Sequence, residues 1–199
     1  MFLQSQNSSS SDEDESRLWQ DLMNGNKEAL NSLFRMYYGG LLNYGTKLVA
    51  DRELVKDAIQ KLFLKLWNKR QSLSKPQSVK SYLYVSLRRI VLARVKKLKA
   101  RDERNQSYMD SVFQQSSNIE EAIIRGESQT YKKKRLAEAI PELSPRQKEA
   151  LYLRFYDGLT NKEIALVMDI AHQSVRNHIS KALGKIRQNM PDSFSFPQI

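Results

Sequence analysis

The 199-residue chain contains no cysteine and only two histidines, His172 and His178. The absence of cysteine excludes a disulfide framework, a thiolate-ligated zinc site and a cysteine nucleophile, and it suits a reducing compartment such as the cytoplasm. Two histidines provide few candidates for metal ligands or for the catalytic base of a Ser-His-Asp enzyme. We therefore expect no metal, no cofactor and no catalytic residue.

The sequence also lacks long apolar runs. Its longest runs span only a few residues, whereas a membrane-spanning helix needs about 20. Residues 1–15 are rich in serine and acidic side chains, without the basic start and apolar stretch of a secretory signal. We therefore expect a cytoplasmic protein with no membrane insertion of its own.

What the chain has in excess is positive charge. It carries 33 lysines and arginines against 22 aspartates and glutamates, which gives a formal net charge of +11 at pH 7. For a chain this basic that is neither secreted nor membrane-spanning, nucleic acid is the leading partner.

The charge alternates along the chain: −4 over residues 1–16, +14 over 17–101, −4 over 102–129 and +5 over 130–199. The two acidic stretches are polar and poor in aromatic residues, as is typical of a disordered tail and a solvated linker. The pattern predicts a disordered acidic tail (1–16), a basic unit (17–101), a flexible acidic linker (102–129), a second basic unit (130–191) and a short tail (192–199).

Apolar residues in the first unit recur every three or four positions, which predicts a bundle of long helices and no strand. Asp51 and Ser78 stand where the N-caps of two of these helices belong, whereas Gly39-Gly40 is expected to weaken the helix that contains it. The stripe after Asp51 predicts a buried helix face made of Leu54, Val55, Ala58, Ile59, Leu62, Phe63, Leu66 and Trp67.

The last helix of this unit is rich in bases that flank two tyrosines. Bases and aromatic rings together are typical of surfaces that bind single-stranded nucleic acid, where the rings stack on unpaired bases. Tyr84 is the better stacking candidate, because Tyr82 fits the core at least as well.

The second unit carries two capping boxes, Ser144 with Gln147 and Thr160 with Glu163. The first opens a helix that ends near Gly158, and the second opens a short helix. A tight connection around Asp169 leads to a second amphipathic helix. A short helix, a brief turn and a second helix together predict a helix-turn-helix motif.

The outward face of that second helix carries polar side chains that suit DNA recognition. In this motif such positions reach base edges and phosphates in the major groove, where arginine favours guanine and asparagine or glutamine favours adenine. The candidate residues are His172, Gln173, Ser174, Arg176, Asn177 and Lys181.

Over roughly residues 17–190 the chain resembles the extracytoplasmic-function (ECF) sigma factors of bacterial RNA polymerase, members of the sigma-70 family. The segments ALNSLFRMYYGGLLNYGTKL, DRELVKDAIQKLFLKLWNKR and SVKSYLYVSLRRIVLARVKK resemble their region two. The segment PELSPRQKEALYLRFYDGLTNKEIALVMDIAHQSVRNHISKALGKIR resembles their region four. Both regions together in this order make the resemblance specific.

The resemblance implies an all-α protein of two small helical domains, which is not itself an enzyme. Such a protein binds core RNA polymerase, directs it to specific promoters and assists DNA opening, and it is commonly held inactive by an anti-sigma factor. Region two is expected to bind core polymerase through Asp57, Gln60 and Lys61. The loop from Arg70 to Val79 and the helix after it are expected to bind the −10 element and the melted strand, with Lys80, Tyr84, Arg88 and Arg89 as candidates. The helix from His172 is expected to read the −35 element.

Three positions depart from the pattern common in this family. An acid commonly follows the glutamine where this chain has Lys61, and asparagine and a later aspartate are common where it has Arg89 and Ala93. The family's usual core affinity and usual −10 preference are therefore not carried over to this chain.

Two other functions are compatible with parts of the sequence. A helix-turn-helix regulator that is not a sigma factor needs only the second unit, but its first unit is expected to be a sensor with few exposed bases. A nuclease needs clustered carboxylates to hold metal ions, and the five acids of residues 17–101 are dispersed.

Overall fold

The computed structural model describes residues 6–101 and 139–188, with side chains described from residue 13 to 98 and from 139 to 188. All regular structure in these ranges is helical, which confirms the all-α prediction. The chain divides into two compact units, Met1–Ala100 and Arg101–Ile199. The predicted linker (102–129) and C-terminal tail (192–199) lie outside the described residues.

From residue 6 onward, where its description begins, the first unit shows four helices and one 3₁₀ turn. They are α1 (Gln6–Met23), α2 (Lys27–Leu48), α3 (Arg52–Lys69), the turn Arg70–Ser72, and α4 (Val79–Arg101). Helix α1 begins inside the segment that we expected to be a disordered tail. Its C-terminal half attaches to the bundle through Trp19 and Leu22, which are both fully buried.

The core of the first unit is apolar and comes from all four helices. The stripe predicted after Asp51 is buried from Leu54 to Leu66, and Trp67 is half-buried. The other large core residues include Leu33, Leu41, Tyr44, Leu83, Leu87 and Val91.

Side-chain caps fix the helix starts of this unit. The Asp51 carboxylate accepts from the Leu54 amide at 2.9 Å, and the Ser78 hydroxyl accepts from the Ser81 amide at 3.1 Å, as predicted. Asn26, which was not predicted, caps α2. Each cap satisfies amides that the first turn of a helix leaves without a partner.

Helix α2 runs unbroken from Lys27 to Leu48 through Gly39-Gly40, and the expected weakening of the helix by these glycines stays a prediction. Gly40 makes room for a neighbouring side chain. A Cβ atom built at Gly40 would lie 2.6 Å from the hydroxyl oxygen of Tyr84, whereas one at Gly39 would meet nothing within 4 Å.

The described part of the second unit, residues 139–188, has three helices around a small apolar core. A 3₁₀ turn (Ile140–Glu142) precedes α5 (Pro145–Leu151), which continues as a π-helical turn (Tyr152–Tyr156). Helices α6 (Asn161–Met168) and α7 (His172–Gln188) follow. The core includes Ala150, Leu151, Ile164, Val167, Val175, Ile179 and Ile186.

Both predicted capping boxes are present, one at Ser144 and Gln147 and one at Thr160 and Glu163. Gly158 has a φ of 70°, which is the left-handed conformation expected of a glycine that follows a helix. Asp169 ends α6 with a φ of 55°. The predicted helix-turn-helix is therefore α6, the turn at Asp169, and α7.

Candidate nucleic-acid and polymerase interfaces

Helix α7 presents one polar face to solvent because its other face is anchored in the core. Val175, Ile179 and Leu183 are buried, at spacings of four residues. Five of the six predicted reading residues are exposed and the sixth, Ser174, is half-buried. The exposed five are His172, Gln173, Arg176, Asn177 and Lys181. Positions four apart lie on one helix face, so these side chains form a single surface.

Two of these side chains already contact each other. The Gln173 side-chain amide donates to the Asn177 amide oxygen at 3.3 Å. Both amides are exposed, and each has the donor and acceptor needed to bind adenine bidentately.

Two long-range hydrogen bonds hold the motif together, and sequence reasoning missed both. The guanidinium of Arg146, on α5, donates to the Met168 carbonyl at the end of α6, at 3.3 Å. The Lys185 amine, on α7, donates to the Glu142 carbonyl at 3.0 Å. Their partners lie 22 and 43 residues away in the sequence, so no local pattern signals them.

His178 lies on the side of α7 that turns toward α5, and it is half-buried. Burial lowers its pKa below the ordinary value, the positive charges of Arg146 and Lys181 lower it further, and Glu149 opposes them. The neutral imidazole is therefore favoured, which separates His178 from the exposed reading residues.

The three residues predicted to bind core polymerase lie together on the exposed face of α3. Asp57, Gln60 and Lys61 are all exposed, and Leu64 extends the same stripe by one turn. Leu64 is 62% exposed, as are three other large apolar side chains of the described residues to a similar degree. We call these four residues the α3 face.

An ion pair connects the α3 face to α4. The Arg94 guanidinium lies 3.2 Å from the Asp57 carboxylate, and both side chains remain about half exposed. The pair is therefore accessible to a competing charge from a partner.

The loop between α3 and α4 is held at three points. The Arg70 guanidinium lies 4.3 Å above the Trp67 ring and donates to the Trp67 carbonyl at 2.8 Å. The Trp19 indole donates to the Ser74 carbonyl at 3.2 Å and packs edge-to-face on Tyr82 at 5.1 Å. Between these points the side chains at 71, 72, 74, 75 and 77 are exposed.

The structure reverses the assignment of the two tyrosines on α4. Tyr84 is 1% exposed and its ring packs on Tyr44 at 5.2 Å, so the prediction that Tyr84 stacks on an unpaired base is wrong. Tyr82 is half-buried and reaches the surface beside the loop. Residues two apart on a helix lie on nearly opposite faces, so the two tyrosines cannot both face the same part of the core.

The other predicted strand-binding residues lie along α4. Lys80 and Arg88 are half-buried, and Arg89 is exposed. Ala93, where the family commonly has an aspartate, is exposed as well. This part of α4 therefore offers basic groups to solvent.

Within residues 6–101 and 139–188, no cluster of three or more histidine and acidic side chains is placed to hold a metal ion. None of the helices described there is both long and apolar enough to cross a membrane.

Two protein-family models match the chain. Sigma-70 region 2 matches residues 33–101, and Sigma-70, region 4 matches residues 133–186. The first match contains α3 and α4, and the second contains α5, α6 and nearly all of α7.

Two curated proteins of Bacillus subtilis (strain 168) are similar over most of their length. The RNA polymerase sigma factor YlaC is 23% identical over 171 residues, which is 84% of this chain and 95% of that protein. The RNA polymerase sigma factor SigZ is 21% identical over 159 residues, 80% of this chain and 85% of that protein.

Solved structures support the fold. The sigma factor RpoE from Bartonella quintana, solved with the anti-sigma factor NepR, has a TM-score of 0.54 at 19% identity and covers 82% of this chain and 98% of its own. CnrH, solved with the cytosolic domain of CnrY, has a TM-score of 0.55 at 18% identity and covers 88% of this chain and 96% of its own.

Sigma region two and sigma region four thus occur in order and together span more than half of the chain. They contain the bundle and the helix-turn-helix that the structure shows. The chain belongs to the sigma-70 family and is an RNA polymerase sigma factor of the ECF group, which binds core polymerase and directs it to promoters.

Proposed function

We propose that the two units of this sigma factor divide promoter recognition between them. The first unit binds core polymerase through the α3 face and binds the melted −10 element through the loop 70–78 and α4. The second unit reads the −35 element as duplex DNA through α7. The observation that carries this proposal is the polar, exposed face of α7 on a capped helix-turn-helix.

The α7 face has the chemistry that base reading needs. Arg176 offers the planar donors that bind guanine, and the Gln173 and Asn177 amides offer the paired donor and acceptor that bind adenine. Lys181 lies further along the helix, where phosphate contact orients the protein without reading sequence. Arg146 ties the end of α6 to α5, and Lys185 ties α7 to the turn at Glu142, so the motif that carries the reading groups is held in place.

The first unit has the charge and surface for its two tasks. Lys80, Arg88 and Arg89 supply positive charge along α4, which suits a single strand of phosphates. Tyr82 takes the place of Tyr84 as the aromatic side chain near this surface. Leu64 gives the α3 face exposed apolar area, whose burial against core polymerase would favour binding.

The protein acts by binding and is not itself catalytic, and we place it in the cytoplasm with the polymerase that it serves. We further propose an anti-sigma partner for this chain. RpoE and CnrH, which share its fold, were solved with an anti-sigma factor and with the cytosolic domain of CnrY, respectively. An acidic partner surface complements the net charge of +11.

The experiment is reconstituted transcription. The chain is mixed with core polymerase and with promoters mapped from transcript starts after overexpression, and specific run-off products are measured. The proposal predicts products that depend on both promoter elements. A protein that binds promoter DNA but neither binds core polymerase at micromolar concentration nor supports run-off products contradicts it and favours a helix-turn-helix regulator.

A further inference from the structure

Trp19 joins α1 to the loop that follows α3, although it lies 55 residues before the loop residue that it contacts. Its side chain is fully buried, and its indole N–H donates to the Ser74 carbonyl at 3.2 Å. An indole nitrogen can donate a hydrogen bond but cannot accept one, so this bond satisfies the one polar group of the buried Trp19 side chain. The acceptor is main chain, so the bond fixes the backbone of the loop directly.

The same indole also contacts the far side of the loop. Its ring meets the Tyr82 ring at 5.1 Å and 70°, in the edge-to-face geometry that aromatic pairs favour. Tyr82 lies in the first turn of α4, which Ser78 caps. One side chain therefore contacts both the middle of the loop and the helix that begins after it.

The hydrogen bonds at the start of the loop connect residues that are close in the sequence. Arg70 bonds to the Trp67 carbonyl, and the Ser72 hydroxyl bonds to the Lys69 carbonyl. Both bonds return to the last turn of α3, so they fix the first residues of the loop and not its middle. The bond from Trp19 arrives from another helix and fixes the part near Ser74.

Helix α1 also lines one side of a cleft beside the same loop. The cleft, of about 550 Å³, lies between them, with Lys75 of the loop on one side. The α1 side is lined by Glu13, Ser16, Arg17, Gln20 and Asp21. The position of α1 therefore sets the space around the exposed middle of the loop.

We infer that Trp19 is a positioning residue for −10 recognition, a role that rests on the function proposed above for the loop 70–78. Because Trp19 is fully buried, it acts through the loop and not by contact with DNA. It holds the Ser74 backbone in the conformation that presents the exposed loop residues to the melted strand. Loss of the indole N–H leaves the loop attached mainly at its start.

The test compares two conservative variants of the full chain, each reconstituted with core polymerase. Trp19→Phe removes the donor to Ser74 and keeps a ring against Tyr82. Trp67→Phe makes the same change in the same unit and keeps a ring beneath Arg70. Initiation rates are measured on a mapped promoter and on variants with single-base changes in its −10 element. Core affinity and −35 protection are measured in parallel.

Trp19→Phe is expected to reduce the discrimination between −10 variants by about threefold to tenfold, the effect of one neutral hydrogen bond, with core affinity and −35 protection unchanged. Trp67→Phe is expected to keep wild-type discrimination. Trp19→Leu, which removes both the donor and the ring contact of this buried side chain, is expected to lose discrimination in the same direction and at least as strongly, so the test does not depend on one variant.

Wild-type discrimination in Trp19→Phe overturns the inference, and so does an equal loss of rate on every promoter, which a general loss of stability would cause. Failure of the proposed function looks different. In that case the wild-type holoenzyme, with Trp19 intact, shows no −10 preference at all.

Discussion

The Arg94 guanidinium lies 3.2 Å from the Asp57 carboxylate, so α4 neutralises one charge of the α3 face. Half-exposed ion pairs of this kind contribute between about 0 and 1 kcal/mol to stability. The pair therefore contributes little to the stability of the fold. If the α3 face is the polymerase contact, the main effect of the pair is to reduce the negative charge that this face presents to core polymerase.

The first prediction concerns this pair. Arg94→Ala is expected to tighten the binding of core polymerase by about twofold to fivefold. The reason is that the Asp57 carboxylate no longer pairs with Arg94 and is available to a basic group of the polymerase, and a half-exposed ion pair of this kind is weak. The dissociation constant for core polymerase is measured without DNA. Lys97→Ala removes an exposed base from the same helix and is the control. Weaker binding in Arg94→Ala alone would show that Arg94 itself contacts the polymerase.

A second prediction concerns Lys61, which stands where the family commonly has an acid. Lys61→Glu is expected to tighten core binding by about twofold to fivefold, since it restores that charge at an exposed interface position. Lys65→Glu, an equal charge change one turn along α3, is the control. If Lys61→Glu weakens the complex, this chain has compensated for the lysine elsewhere in the interface.

A third prediction compares adjacent glycines in α2. Gly40→Ala is expected to lower the free energy of unfolding by about 1–3 kcal/mol, because the new methyl group meets the hydroxyl of Tyr84, whose buried ring cannot swing away. Gly39→Ala is expected to raise the free energy of unfolding by about 0.5–1 kcal/mol, since alanine is the better helix former and nothing lies near it.

Denaturation followed by tryptophan fluorescence measures both changes. The two tryptophans of the chain, Trp19 and Trp67, lie in the first unit, so the signal reports that unit alone. Equal effects of the two substitutions would contradict the close contact between Gly40 and Tyr84.

A fourth prediction concerns the pH dependence of the second unit. Burial, aided by Arg146 and Lys181, holds the pKa of His178 below its ordinary value of 6.5. The unfolded chain therefore binds the proton more readily, and the stability of the folded unit falls as the pH drops below 6.5. His178→Gln is expected to flatten this decline. Hydrogen exchange of α7 at pH 7 and pH 5 measures it, with His172→Gln as a control that keeps the wild-type decline.

Local features of the fold could be predicted from the sequence. Asp51, Ser78 and the two capping boxes were predicted correctly because a cap depends on residues three apart. The face of α7 was predicted for a similar reason, since its buried residues recur every four positions.

Features that depend on packing between helices could not be predicted. The need for glycine at position 40 arises from Tyr84 on another helix, and the bond from Trp19 to Ser74 spans 55 residues. Tyr82 and Tyr84 both belong to a helix with apolar residues on several sides. Which of them is buried was therefore decided by contacts with Trp19 and Tyr44, and not by any pattern along α4.

The central claim is that α7 reads the −35 element, and footprints of the holoenzyme on −35 variants test it most directly. Arg176→Ala is expected to cost about 1–3 kcal/mol in promoter binding and to relax the preference at one or two −35 positions. Arg187→Ala, the same change in the last turn of α7, is expected to leave the preference intact. Footprints of Arg176→Ala that match the wild type across all −35 variants would contradict the account.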